Sequence, residues 1–208
     1  MRGRFITFEG GEGTGKSTQV RILADRLRAR VPDLVLTREP GGSTEAESLR
    51  ELLLSGDADR WSPRAETLLM YAARDDHLRR VIRPALERGD WVVCDRFADS
   101  TRAYQGGGGG VDMGFIEALD REIVGADQPD LTLVFDLPVE VGLERAFGRD
   151  MFELRFESKG SAFHQRLRDR FAAIATAHPE RCQVIDATGD VETVAARVWK
   201  AVSSRLLA

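Results

Sequence analysis

Gly10-Gly11-Glu12-Gly13-Thr14-Gly15-Lys16-Ser17 has the spacing of a phosphate-binding loop, G-x-x-x-x-G-K-[ST]. Glycines at these positions let successive backbone N–H groups turn inward onto phosphate oxygens. A helix starting at the lysine adds the positive end of its dipole. Lys16 can then reach the β- and γ-phosphates, the Ser17 hydroxyl can ligate Mg²⁺, and Thr18 extends the first turn beneath them. This chemistry is the binding of a nucleoside triphosphate with its metal. It does not by itself specify a reaction. The chain contains no Asn, which removes the usual Asn-Lys-x-Asp reader of guanine. Its 208 residues are too few for a large motor or transporter ATPase.

Three other short apolar runs each end in an acid: Trp91–Asp95, Leu131–Asp136 and Cys182–Asp186. With Phe5–Glu9 and Leu34–Thr37 they read as buried strands. The intervening stretches carry helical periodicity: Lys16–Arg30 (Val20, Leu23, Leu27, Val31), Thr44–Leu54, Arg64–Glu87 and a final helix with Val191, Val194, Ala195, Val198, Val202 and Leu206 on one stripe. Strands alternating with helices predict an α/β fold with a central parallel sheet flanked by helices, the P-loop NTPase class. In such sheets ligands sit at the carboxyl ends of the strands, where the loop lysine and Asp95-Arg96 would lie. The reading is one domain over residues 1–208, with a short polar lid at about 148–160 containing Arg149 and Arg155.

With 42% hydrophobic and 31% charged residues the chain reads as soluble and globular, and its net charge of −4 argues against a general nucleic-acid or membrane binder. Lysine occurs only at positions 16, 159 and 200, so 27 of the 30 basic residues are arginine, a side chain suited to bidentate phosphate contacts. Cys94 and Cys182 fall in strand-like runs and are expected as buried free thiols, which fits a cytoplasmic protein. The N-terminal residues lead directly into a strand, so neither a signal peptide nor a membrane span is expected. The run Gly106–Gly110 reads as a flexible loop or as a close approach to a ligand. His77, His164 and His178 read as surface or helix-packing residues.

Beyond the loop, a series of motifs resembles the thymidylate kinase family in order and over essentially the whole chain. They are Phe8–Gln19, Thr37-Arg38-Glu39-Pro40-Gly41-Gly42, Tyr71-Ala72-Ala73-Arg74, Asp95-Arg96-Phe97, Ser100–Gly108, Pro129–Leu133 and Gly142–Ala146. The resemblance implies a kinase that moves the γ-phosphate of ATP onto dTMP, with Mg²⁺, as a cytoplasmic homodimer. At matching positions it implies that Glu12 approaches the sugar 3′-hydroxyl and that Arg96 clamps the dTMP phosphate, with Arg38 and Arg50 as further candidates. Arg74 would donate to thymine O4, while Thr101 and Gln105 would read the Watson–Crick edge. Asp95 would join Ser17 at the metal. Arg145, Ala187 and Thr188 would border adenine. Many relatives place an aromatic residue four before the base-reading arginine; here that position is Met70, whose thioether can cover a ring face.

The loop carries no arginine, which resembles the bacterial type of the family in which a lid arginine is catalytic. Arg149 and Arg155 are the candidates, together with Lys16 and Arg96. Where relatives often have Asp-Arg in the lid and an arginine in the glycine run, this chain has Leu154-Arg155 and Gly109. Two alternatives stay open: a kinase of another nucleoside monophosphate or small metabolite, and a catalytically silent nucleotide-binding module.

Overall fold

The computed structural model describes residues 2–31, 33–57, 59–146 and 160–207. Five strands, β1 (Phe5–Gly10), β2 (Leu34–Arg38), β3 (Trp91–Asp95), β4 (Leu131–Asp136) and β5 (Cys182–Asp186), form one parallel sheet in the order β2-β3-β1-β4-β5. The expected α/β class is therefore correct. After β1 the chain builds to one side (β2, β3) and then to the other (β4, β5), leaving a crevice at the carboxyl end of β1.

The helices are α1 (Lys16–Arg28), α2 (Thr44–Leu54), α3 (Pro63–His77), α4 (Arg83–Arg88), α5 (Ala98–Thr101), α6 (Met113–Ile123), α7 (Val139–Ala146), α8 (Gly160–Ala177) and α9 (Val191–Leu206). Two wider π-helical turns, Leu78–Ile82 and Arg102–Gly108, continue α3 and α5. Side-chain alternation along β1 sorts the core. Ile6 and Phe8 pack with Val20, Leu23, Val194 and Val198 of α1 and α9, while Phe5 faces Tyr71, Ile82 and Phe97 on the other side. A third cluster joins Met70, Tyr104 and Val134 to Phe163, Leu167 and Phe171 of α8. Cys94 and Cys182 are buried free thiols. No helix among the described residues is long and apolar enough to cross a membrane.

Two expectations change. Val191 is half exposed, because it occupies the first position of α9, where the Asp190 side chain caps Thr193 N; the buried stripe begins at Val194 and also takes Ala201. Most of the glycine run is helical rather than loop: Gly106–Gly108 lie in the second π-helical turn, and only Gly109 and Gly110 leave it. A Cβ on Gly108 would sit 2.3 Å from the Phe163 ring, so glycine is what lets α8 pack there. Arg149, Arg155 and nearly all of the expected lid lie outside the described residues.

Candidate active site

The phosphate loop links β1 to α1. Gly13 (φ 66°) and Gly15 (φ 84°, at the helix N-cap) adopt the left-handed conformation that turns N–H groups inward. A Cβ on Gly13 would stand 1.9 Å from the carbonyl oxygen of Gly142, so the loop lies directly on α7. The Lys16 ammonium folds over the loop and donates to Gly10 O (3.0 Å), Gly11 O (2.6 Å) and Thr14 Oγ1 (3.1 Å). The Ser17 hydroxyl donates to Asp95 Oδ2 at 2.6 Å, pairing a hydroxyl and a carboxylate beside the lysine. Such hard oxygen donors fit Mg²⁺, which takes one or two protein ligands and completes its shell with water and phosphate. Among the described residues no cluster of three or more His, Cys, Asp or Glu is placed to hold a metal, so an all-protein cage of those residues is not built there.

A cleft runs from this pair to Arg96 and is bordered by Arg38 and Arg50. Arg38 is largely exposed and pairs with Glu47 at 3.1 Å; Arg50 donates to Pro40 O at 2.8 Å. Arg96 is the only non-glycine residue with positive φ (69°) among the described residues. Backbone in that region costs on the order of 1–3 kcal/mol and persists where the surroundings hold it. Here Arg96 N donates to Phe8 O at 2.9 Å, and buried Glu9 Oε1 accepts from the next amide, Phe97 N, at 2.8 Å. The Ser100 hydroxyl donates to Glu9 Oε2. Burial first and the Asp99 carboxylate second push the Glu9 carboxyl up to about 8. The Arg96 guanidinium lies over the Tyr104 ring, 5.0 Å from its centroid, and Nη1 donates to Gly10 O at 3.0 Å. Its Nη2 is buried without a hydrogen-bond partner among the described residues.

Glu12 points inward rather than out over the loop rim and is 4% exposed. The Tyr104 hydroxyl donates to its Oε1, Arg96 Nη2 stands 3.8 Å from the same oxygen, and His164 Nδ1 lies 3.4 Å from Oε2. Burial alone would raise this carboxyl. His164 facing Oε2, the charge of Arg96 and the Tyr104 hydroxyl outweigh it and bring the pKa down to about 2. The loop's acid is thus fixed as a carboxylate.

Arg96 also opens onto a second cavity, with Met70, Arg74, Thr101, Tyr104 and Gln105. Arg74, at 2% exposed, is a cation in the protein interior, 4.7 Å from the Tyr71 ring centroid and 5.2 Å from that of Phe97. Its Nε donates to Glu39 Oε2 at 2.8 Å and its Nη2 to Thr101 Oγ1 at 3.1 Å; Nη1 has no hydrogen-bond partner among the described residues. Gln105 Nε2 donates to buried Glu66 Oε1 at 2.6 Å, which sets the direction of the amide. The wider turn after α5 still brings Thr101 and Gln105 to one wall.

Two adjoining recesses, one bordered by Lys16 and Ser17 and one lined by buried Arg74, meet at Glu39 and Arg96. A sequence profile of the thymidylate kinase family covers residues 8–198. The chain belongs to the thymidylate kinase family. It is 58% identical to a thymidylate kinase of Caulobacter vibrioides over 99% of this chain and 98% of that one. It is 57% identical to one of Nitrobacter winogradskyi over 100% and 91%. The crystal structure of the thymidylate kinase of Ehrlichia chaffeensis superposes with a TM-score of 0.80 at 34% identity, over 97% of this chain and 100% of that one.

In this family member Lys16, Ser17, Arg38, Arg50, Asp95 and Arg96 share one cleft, and Met70, Arg74, Arg96, Thr101 and Gln105 share the next. Arg145, Ala187 and Thr188 stand apart from both. Arg145 is exposed in the last turn of α7. The Ala187 side chain is buried in the core against α9, which leaves only its backbone for a ligand. Thr188 is exposed and closes on Asp186 through two hydrogen bonds. The histidine reading needs correction at two positions: His164 touches Glu12, and fully buried His77 touches Glu39 at 3.0 Å. His178 is at the surface as expected. Glu9, Glu39, Tyr104 and His164 were not singled out by type or spacing. Glu9, Glu39 and Tyr104 did lie inside family motifs, whereas no motif contained His164.

Proposed function

We propose that this chain transfers the γ-phosphate of ATP to dTMP, giving dTDP and ADP, a step toward dTTP. The observation that carries this reading is the convergence of Arg74, Arg96, Thr101 and Gln105 on one buried cavity next to the Lys16–Ser17–Asp95 cleft. The attacking atom is a phosphate oxygen, anionic near neutral pH, so no general base is required. What the site supplies is position and positive charge. Loop backbone N–H groups from Gly10 to Thr18 hold the donor phosphates, and Lys16 moves from the loop carbonyls onto the β- and γ-oxygens. Ser17 and Asp95 would hold Mg²⁺, which would supply positive charge against the phosphates. Arg96 holds the acceptor phosphate, with Arg38 and Arg50 behind it. Arg74 Nη1, a donor in search of an acceptor, suits thymine O4 and opposes the cytosine amino group. Met70 covers the ring, Glu12 meets the sugar 3′-hydroxyl, and Arg145 with the Ala187-Thr188 backbone borders adenine.

The polar segment 148–160 is the lid of a single kinase domain and delivers Arg149 or Arg155 to the migrating phosphoryl group. Replacing the critical one by Ala lowers kcat by ~10³-fold, in the arginine-finger range, with little change in dTMP Kd. If both single variants and the double variant stay within a few-fold of wild type, the lid arginines are not catalytic. Family resemblance supports a homodimer, and two buried free thiols fit a cytoplasmic protein. The test of the function is ADP release with and without dTMP, with dTDP identified as product. Release indifferent to dTMP contradicts the reading and favours a silent nucleotide-binding module.

A further inference from the structure

The Arg74 guanidinium is held by a chain of side chains that reaches back to β2. Glu39, directly after β2, accepts from Arg74 Nε with Oε2 (2.8 Å) and faces His77 Nδ1 with Oε1 (3.0 Å). His77 Nε2 in turn lies 2.7 Å from Thr37 Oγ1. Glu39, Arg74 and His77 are at most 5% exposed, so no water competes for these groups. We propose that His77 and Glu39 are positioning residues for base selection: the Thr37–His77–Glu39 chain aims Arg74 so that Nη1 points into the acceptor-base cavity.

A carboxylate with one partner can swing about its last torsion. Glu39 is gripped at both oxygens and cannot. With Nε fixed by Glu39 and Nη2 by Thr101, the planar guanidinium keeps one direction for Nη1. The tautomer that donates from Nδ1 to Glu39 can accept at Nε2 from the Thr37 hydroxyl, so one arrangement of hydrogen bonds links Thr37, His77 and Glu39. His77 itself lines neither the phosphate cleft nor the base cavity; it reaches Arg74 through Glu39.

This inference rests on the proposed dTMP kinase activity, and the test separates the two. His77→Leu removes both hydrogen bonds. His77→Asn places an amide N–H near the Nδ1 position and keeps the bond to Glu39. Kinetics at saturating ATP should show a KM for dTMP raised about tenfold in His77→Leu, kcat changed less than threefold, and a narrowed dTMP-over-dCMP preference, with His77→Asn recovering most of the loss. A role in packing alone would lower Tm in both variants and leave KM and the preference unmoved, which would overturn the proposal. The Arg74 Nε–H resonance of the substrate-free protein gives a readout independent of activity. Its hydrogen exchange should quicken in His77→Leu and stay slow in His77→Asn. If His77→Leu does not fold, His77→Asn and Glu39→Gln decide by the same two measurements; unchanged exchange and KM in Glu39→Gln overturn the proposal. A wild type that ignores dTMP sinks the parent reading, whereas one that uses dTMP with an indifferent His77→Leu sinks only the chain.

Discussion

The phosphate loop and the base cavity solve recognition in different ways. The loop is local: eight consecutive residues, mostly backbone, closed on themselves by Lys16. The cavity is assembled from side chains on α3, α5 and the turn after it, plus Glu39 beyond β2, and buried charges hold it together. Lys16 is buried too, but its hydrogen bonds go to two carbonyls and a hydroxyl, and Glu12, the carboxylate its charge reaches, keeps Arg96 and the Tyr104 hydroxyl when Lys16 is removed. A buried pair such as Arg74–Glu39 cannot be halved without stranding a charge. The loop therefore puts less stability at stake than the cavity, which ties selectivity to the stability of the fold.

Lys16→Ala carries the largest expected effect. Losing a charged phosphate ligand should lower kcat by on the order of 10²–10³-fold while lowering Tm less than Arg74→Ala does. Near-normal turnover in the folded variant would remove the loop from the mechanism. Arg74→Ala should behave in the opposite way. It strands the Glu39 carboxylate in the interior, at a cost of about 3–5 kcal/mol, and so should lower Tm clearly as well as blur the choice of base. Denaturant unfolding of the two variants side by side checks the contrast; equal stabilities would break it.

The smallest effect concerns pH. Glu12 is held at about 2 when folded and returns to its ordinary value of 4.5 when unfolded. A depressed carboxyl stabilises the fold at pH above 4.5, and that contribution, roughly 3 kcal/mol, is lost as pH falls from 4.5 toward 2. Glu12→Gln should flatten this part of the stability–pH curve. Glu9 works with the other sign: its raised carboxyl contributes below 4.5 and loses that contribution as pH rises through about 8. Two acids three residues apart thus pull the curve in opposite directions, Glu12 between about 2 and 4.5 and Glu9 between 4.5 and about 8. A Glu12→Gln curve parallel to wild type between pH 5 and 3 would contradict the assignment.

Much of this was legible from residues alone, and the limit has a physical cause. Strand and helix periods placed the sheet, because alternation and the 3.6-residue repeat are local. The loop was legible because its geometry depends on consecutive residues. Arg74, Thr101 and Gln105 were reached only through family resemblance, since nothing local marks a helix arginine as buried. Glu39, His77, Tyr104 and His164 escaped because each acts through a partner between 35 and 152 positions away, such as Arg74 for Glu39 and Glu12 for His164. Glycines 106–108 were misread for the same reason: the packing partner, Phe163, lies on a helix distant in sequence.

The ratio of kcat/KM for dTMP to that for dCMP tests the central claim most directly. Arg74 Nη1 is a donor aimed where thymine presents an acceptor and cytosine presents another donor, a buried mismatch worth about 1–3 kcal/mol. The ratio should therefore fall at about 5–200, and dUMP, which lacks one methyl group worth about 0.8 kcal/mol, should follow dTMP within about fivefold. Equal specificity constants for dTMP and dCMP would contradict the account.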